Sequence, residues 1–322
     1  MTGLCKNLPG YLTSLLVPLL TDYLRAVRKL VLDTAAQGRG REILGDVPGR
    51  EADEDVHVKV DWICEELLSV LCLDAHQRYG LKFWIRSEHA PQGYGVGCEL
   101  KEDADVECDV DPFDGTDQFL KGIQEAWWSV LTFSHNGVPL VGGAVDILGG
   151  VIYRSFNGRV ERISTRSNRR ELVVPRDETS LSGDSVVASY KGKGKYFFPW
   201  VKLVQNLFAQ EHLAGVTHYG NGGSFVYALL AAGVLSAYIM DADPGEPISE
   251  ISPGAGFVEA AGLCLLVVKG GSVRRLSALS GMEGRVKGIF IAACTEELAR
   301  AIAEGLQGNL VSSRSKRLAR VG

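Results

Sequence analysis

The chain has 322 residues, 46% hydrophobic and 23% charged, with a formal net charge of −5 and a pI near 5.8. This is the composition of a folded protein large enough for one or two cores. The acidic balance and the lack of a basic face argue against nucleic acid as a partner, and no apolar run is long enough to span a bilayer. Seven cysteines, an odd number with no C-x-x-C pair, read as small core residues in a reducing, cytoplasmic setting. The six histidines are scattered, which argues against a His-rich zinc site.

From Tyr11 to Ala36 apolar residues recur at helical spacing. The run LTSLLVPLL is short, contains Pro18 and leads straight into DYLRAVRKL, so it reads as an amphipathic first helix rather than a signal sequence. Residues 37 to 56 carry many charges and glycines and are expected to form a mobile loop. VHVKVDWICEELLSVLCLD then passes from alternation to a helical pattern around Asp61, a residue type that also serves routinely as an N-cap. LKFWIRSEHA reads as a short strand ending in Ser87, Glu88 and His89; taken alone, Glu88 is an exposed strand-end carboxylate.

The most informative stretch is ECDVDPFDGTDQF, from Glu107 to Phe119. Pro112 biases Asp111 toward an extended conformation at the end of a strand, after which Asp114 and Gly115 form a turn. Gly115 lacks the Cβ that would block a ligand from the backbone, so anionic oxygens can meet the amides of Gly115 and Thr116. Asp111 and Asp114 offer the hard oxygens that Mg²⁺ prefers. The blander alternative is an acidic surface turn whose aspartates cap and solvate the backbone.

GIQEAWWSVLTFSHNGVPLVGGAVDILGGVIYRS predicts an antiparallel meander with turns at HNGVP and LGG, and with His135 solvated. RISTRSNRRELVVPRDETSLSGDS is polar and predicts a loop joining two halves. Beyond it the chain alternates: a strand at SVVASY, a helix across YFFPWVKLVQNLFAQ, and GVTHYGNGGSFVYALLAAGVLSAYIM with Gly223 and Ser224 at a helix N-terminus. That end suits a sugar hydroxyl or an anion, or is a plain N-cap, and GGSFV lacks the second glycine of a nucleophile elbow. A last helix in FIAACTEELARAIAEGL precedes the basic tail SSRSKRLARVG, expected to be disordered.

DPFDGTDQF resembles the DPxDGTxxF signature of the inositol monophosphatase superfamily, the metal-dependent, lithium-sensitive phosphatases that include fructose-1,6-bisphosphatases and 3′-phosphoadenosine nucleotidases. The companion motifs fall in that family's order from about residue 15 to 306. Asp61 matches an acid at the start of the second helix, and Glu88 the first member of a Glu-Glu pair whose second member is here His89. Glu250, Pro253, Ala255, Glu259 and Ala261-Gly262 resemble the final motif, with a glutamate where inositol enzymes have the Asp of Trp-Asp. Leu263 replaces that motif's second glycine.

The resemblance implies an α/β fold, an αβαβα sandwich. It divides into an N-terminal α+β half over residues 1–185, a C-terminal half over 186–310 and a tail over 311–322. It implies that Glu88, Asp111, Asp114, Glu250 and the Phe113 carbonyl hold two or three Mg²⁺ ions. Thr116, hydrogen-bonded to Asp61, would orient and deprotonate a water; the Gly115 and Thr116 amides would hold the phosphate, and Gly223 and Ser224 would meet the substrate. The implied activity is hydrolysis of a small phosphorylated polyol such as inositol monophosphate, without a phosphoenzyme. The alternatives are a fructose-1,6-bisphosphatase, a 3′(2′),5′-bisphosphate nucleotidase, and a non-catalytic phosphate-binding protein motivated by His89, Glu250 and Leu263. Asp241 and Asp243 are the acids nearest the position that contacts an inositol hydroxyl in the family. Many relatives are dimers; the strands around Trp127 and Trp128 suit either such an interface or, as the preferred reading, a core.

Overall fold

Leucines and valines at helical spacing make one face of the first helix, α1 (Leu8–Ala36), largely apolar: Leu12, Leu16, Leu20, Leu24, Val27 and Val31 are buried. The second helix, α2 (Lys59–Tyr79), ends at Gly80 and packs beside it. The computed structural model describes residues 8–46, 56–189, 200–202, 204–205, 207–208, 215–241, 246–269, 272–275 and 284–306. Within the expected loop over 37–56, Ile43–Asp46 is a strand (β1) paired antiparallel with β2 (Val56–Val58); residues 47–55 lie outside the described residues.

Both helices lie on an eight-stranded sheet. Its strands are β3 (Phe83–Ser87), β4 (Tyr94–Val96), β5 (Val106–Asp114), β6 (Trp128–His135), β7 (Val138–Asp146), β8 (Val151–Phe156), β9 (Arg159–Ser164) and β10 (Arg170–Val173), in the order β10-β9-β8-β7-β6-β5-β3-β4. β3 and β5 are parallel and the other neighbours antiparallel. The meander of β6, β7 and β8 matches the sequence expectation, whereas the end of β9 and all of β10 fall within the stretch read as a loop and correct it there.

The second sheet has six strands: β11 (Val186–Ala188), β12 (Thr217–Tyr219), β13 (Ala237–Asp241), β15 (Cys264–Lys269), β16 (Ser272–Arg275) and β18 (Ile289–Ala293), ordered β12-β11-β13-β18-β15-β16. β14 (Glu246–Pro247) and β17 (Arg285–Val286) form a small separate pair. Between the two sheets lie α4 (Val226–Ala231) and α5 (Ile248–Ala260), where Phe225, Tyr227, Ile251 and Phe257 meet Trp128, Val130 and Tyr153 on one side and Tyr238 and Phe290 on the other. A last helix, α6, over 296–306 covers the outer face of the second sheet through Leu298, Ile302 and Leu306. The layers therefore run helix, sheet, helix, sheet, helix, the expected sandwich.

Trp127 and Trp128 are 3% and 6% exposed, so both belong to cores. The basic tail lies outside the described residues, as does part of the helix expected across 196–210. Among the described residues no helix is long and apolar enough to cross a membrane, and the described cysteines carry no disulfide.

Candidate metal centre

The centre begins with an irregularity in β5. Asp111 is opposite Val130 and Asp114 opposite Trp128, so three steps on β5 match two on β6. That is a β-bulge, and it changes which face each residue occupies. In a regular strand residues three apart point to opposite faces. Here Val106, Cys108 and Val110 enter the core beneath α1 and α2, and after the bulge Phe113 enters it too, which leaves Asp111 and Asp114 together on the other face. Pro112 has no N–H to give to a ladder, and in a central strand a bulge is where it fits. The strand therefore runs through Asp114 rather than ending at Asp111 as expected, and the bend comes at Gly115.

Gly115 has φ 120°, and a Cβ there would strike the Ala126 carbonyl. The chain then turns into the short helix α3 (Thr116–Leu120). Aromatic packing fixes this turn: Phe113 and Phe119 meet edge to face at 5.4 Å, and Trp127 lies 5.1 Å from Phe119 and 6.1 Å from Phe113.

Asp61 lies in the first turn of α2 and is fully buried. Its Oδ2 accepts the Val58 amide at 3.0 Å, so it serves the helix end from inside the first turn, with Val58 at the cap position. Its Oδ1 accepts the Thr116 hydroxyl at 3.1 Å, and the Phe113 carbonyl lies 3.1 Å from the same hydroxyl. The structure thus brings Asp61, Phe113 and Thr116 together around one O–H.

Asp114 is held from the second half of the chain. Its Oδ2 accepts the Phe225 amide at 3.2 Å, just before α4, and the Phe225 ring stacks on Trp128 at 5.1 Å. Gly223 has φ 140°, and a Cβ there would fall on the Asp114 carboxylate. Ser224 is buried and donates its hydroxyl to the Glu250 carbonyl at 3.0 Å, tying the approach to α4 to the first turn of α5, where Glu250 sits.

The acids act on one another through space. Burial first, then Asp114, Glu88, Glu250 and Asp61, push the Asp111 acid well above the usual carboxylate range. Burial, with Glu250 and Glu88, raises Asp114 to about 8 against the opposing pull of the Phe225 and Ser224 amides. Carboxylates gathered at this density favour either protonation or a cation among them. The donor set, carboxylate oxygens with a backbone carbonyl at hand, is the one that hard divalent cations take, so the residues fit the implied metal.

Glu88 and His89 follow β3. Ser87 donates to Glu65 at 2.7 Å and accepts the His89 and Ala90 amides, which fixes the turn. His89 Nε2 is 3.1 Å from Glu88 Oε1 and 3.8 Å from Asp61 Oδ2. The ring of His57, from β2, stacks on His89 with centroids 3.7 Å apart. Burial and the neighbouring His89 push His57 down to about 4. Sequence reasoning passed over His57 and Phe225: each acts through a neighbour distant in the chain, and only the strand alternation of VHV hinted that His57 and Val58 face different surroundings.

No protein-family model matches the chain, and no curated protein sequence matches it. Solved structures do. SuhB from Bartonella henselae superposes with a TM-score of 0.63 at 18% identity, over 90% of this chain and 98% of that one. SaIMPase-II bound to inositol monophosphate gives 0.63 at 14%, over 92% and 98%. An IMPase/NADP phosphatase complexed with Mg²⁺ and phosphate gives 0.58 at 13%, over 91% and 95%. At these identities the likeness establishes the fold, and it extends over nearly the whole length of each.

Proposed function

We propose that this chain is a Mg²⁺-dependent phosphomonoesterase acting on a small phosphorylated polyol, inositol monophosphate being the representative substrate. The observation that carries the reading is the Thr116 hydroxyl, held between Asp61 and the Phe113 carbonyl beside clustered carboxylates. The fold shared with an inositol monophosphate-bound phosphatase and with a Mg²⁺ and phosphate complex supports it.

Glu88, Asp111, Asp114, Glu250 and the Phe113 carbonyl would hold the ions. When bound, two or three divalent ions supply charge neutralisation at the phosphoryl group and acidify water. The chain's own residues do the rest. Asp61 holds the Thr116 proton, so the Thr116 oxygen keeps a lone pair for a water. As that water attacks phosphorus, Thr116 takes its proton and gives its own to Asp61, the phosphorus–oxygen ester bond breaks, and the alcohol leaves with a proton from bulk water. Thr116 opens α3, so the amides of Gly115 and Thr116 have no partner within that helix and can take phosphate oxygens. Gly223 and Ser224 position Asp114 and Glu250, and in this reading they would meet the alcohol portion of the substrate. Positioning and charge account for most of the acceleration in phosphoryl transfer.

The test is phosphate release from inositol 1-phosphate, fructose 1,6-bisphosphate and 3′-phosphoadenosine 5′-phosphate, with and without Mg²⁺. Release from the first that requires Mg²⁺ is expected. Preference for either of the others reassigns the substrate to the fructose bisphosphatase or nucleotidase class, and no release from any points to a phosphate-binding protein. The same reading carries lithium inhibition, a homodimer, a cytoplasmic location and a division near residue 185, checked by inhibition kinetics, light scattering, fractionation and limited proteolysis.

A further inference from the structure

We propose that Asp61, Glu88 and His89 form a mixed nitrogen and oxygen site that takes a borderline divalent ion, Zn²⁺ or Co²⁺ in kind, in preference to Mg²⁺. The inference rests on the reading above in placing metal at this centre, and adds that one corner has a different metal preference.

One ligand atom from each of the three residues lies within 4.8 Å of the other two. His89 Nε2 stands 3.1 Å from Glu88 Oε1 and 3.8 Å from Asp61 Oδ2. Donors about 2.1 Å from a tetrahedral ion stand about 3.4 Å apart, a value that these two separations bracket.

The site is also built to stay in place. The side chains of Asp61, His89 and Glu88 are 0%, 6% and 12% exposed. The His57 ring lies against the face of His89 with an interplanar angle of 16°, and Ser87 accepts the His89 amide. Asp61 Oδ2, the oxygen facing His89, is fixed by the Val58 amide and keeps a second lone pair for the ion, while Oδ1 stays with the Thr116 hydroxyl. Imidazole suits Zn²⁺ and its neighbours, whereas Mg²⁺ demands oxygen ligands and keeps its waters. A single histidine between two acids is enough to shift this preference without the His-rich pattern absent from the sequence.

The experiment is calorimetric titration of the metal-free full chain with Zn²⁺ and with Mg²⁺, together with the visible absorption of the Co²⁺-loaded protein. It is run on the native chain, His89→Gln and His89→Glu, with circular dichroism confirming the fold of each. Tighter Zn²⁺ than Mg²⁺ binding is expected for the native chain. Zn²⁺ affinity should fall at least about tenfold in His89→Gln, Mg²⁺ affinity should stay within about threefold, and the Co²⁺ spectrum should change. In His89→Glu the preference should swing toward Mg²⁺. Unchanged Zn²⁺ affinity and Co²⁺ spectrum in folded His89→Gln would overturn the assignment. If Mg²⁺-dependent phosphate release persists in that case, the phosphatase reading stands alone; Zn²⁺ binding as expected with no release from any ester overturns that reading instead.

Discussion

At the scale of single residues, the Thr116 hydroxyl and the space at Gly223 are the points where one atom decides an outcome. Thr116→Ala removes an oxygen that Asp61 and the Phe113 carbonyl hold in place, without disturbing the aromatic packing behind it. Steady-state kinetics should show kcat lower by about 100-fold with KM within about threefold; an unchanged kcat would remove Thr116 from the chemistry. Gly223→Ala places a methyl where the Asp114 carboxylate lies. Mg²⁺ affinity, measured by calorimetry, should drop by about tenfold or more while the thermal transition stays cooperative. Asp111, Asp114, Gly115 and Thr116 were legible because they are contiguous and chemically unusual together. The grip of Phe225 on Asp114 was not, because it spans 111 positions and uses a backbone amide, which side-chain identity does not encode.

At the scale of elements, α5 is the part that must be seated correctly, since it presents Glu250 from its first turn. Two buried hydroxyls of the eight-stranded sheet hold it: Thr132 donates to the Pro253 carbonyl at 2.7 Å and Ser155 to the Phe257 carbonyl at 2.9 Å. Thr132→Val and Ser155→Ala should each lower unfolding free energy by about 1 kcal/mol in urea titrations. Because both act on one helix, the double variant should depart from simple addition. The helices α1 and α2 and the meander were legible from periodicity. β9 and β10 were not, because the edge strand β10 and its neighbour β9 carry charges that resemble a loop: Arg162 on β9 pairs with Glu171 on β10 at 2.6 Å, and such charged edges resist unwanted pairing.

At the scale of the whole molecule, the buried acids make stability depend on pH and on metal together. Asp114 is raised to about 8, and Asp111 is raised well above the usual carboxylate range by burial and neighbouring carboxylates. A carboxyl whose pKa is higher folded than unfolded binds more protons when folded. Its contribution to the metal-free chain is therefore greatest below the ordinary carboxylate range and is lost as pH climbs toward about 8. Scanning fluorimetry of metal-free protein should show the melting temperature falling from about pH 5 to about pH 8. Saturating Mg²⁺ should flatten or reverse that slope, because it binds the folded, deprotonated site. A flat profile without metal would mean that the acids do not crowd one another.

The extra residue in β5 makes the centre a matter of parity. Substitution can exchange one donor for another and leave the backbone geometry intact. Without the bulge, strict alternation over the same residues would carry Asp114 to the side occupied by Val106 and Cys108. Inserting one residue between Asp111 and Asp114 should therefore abolish ion uptake, even though every acid is still encoded.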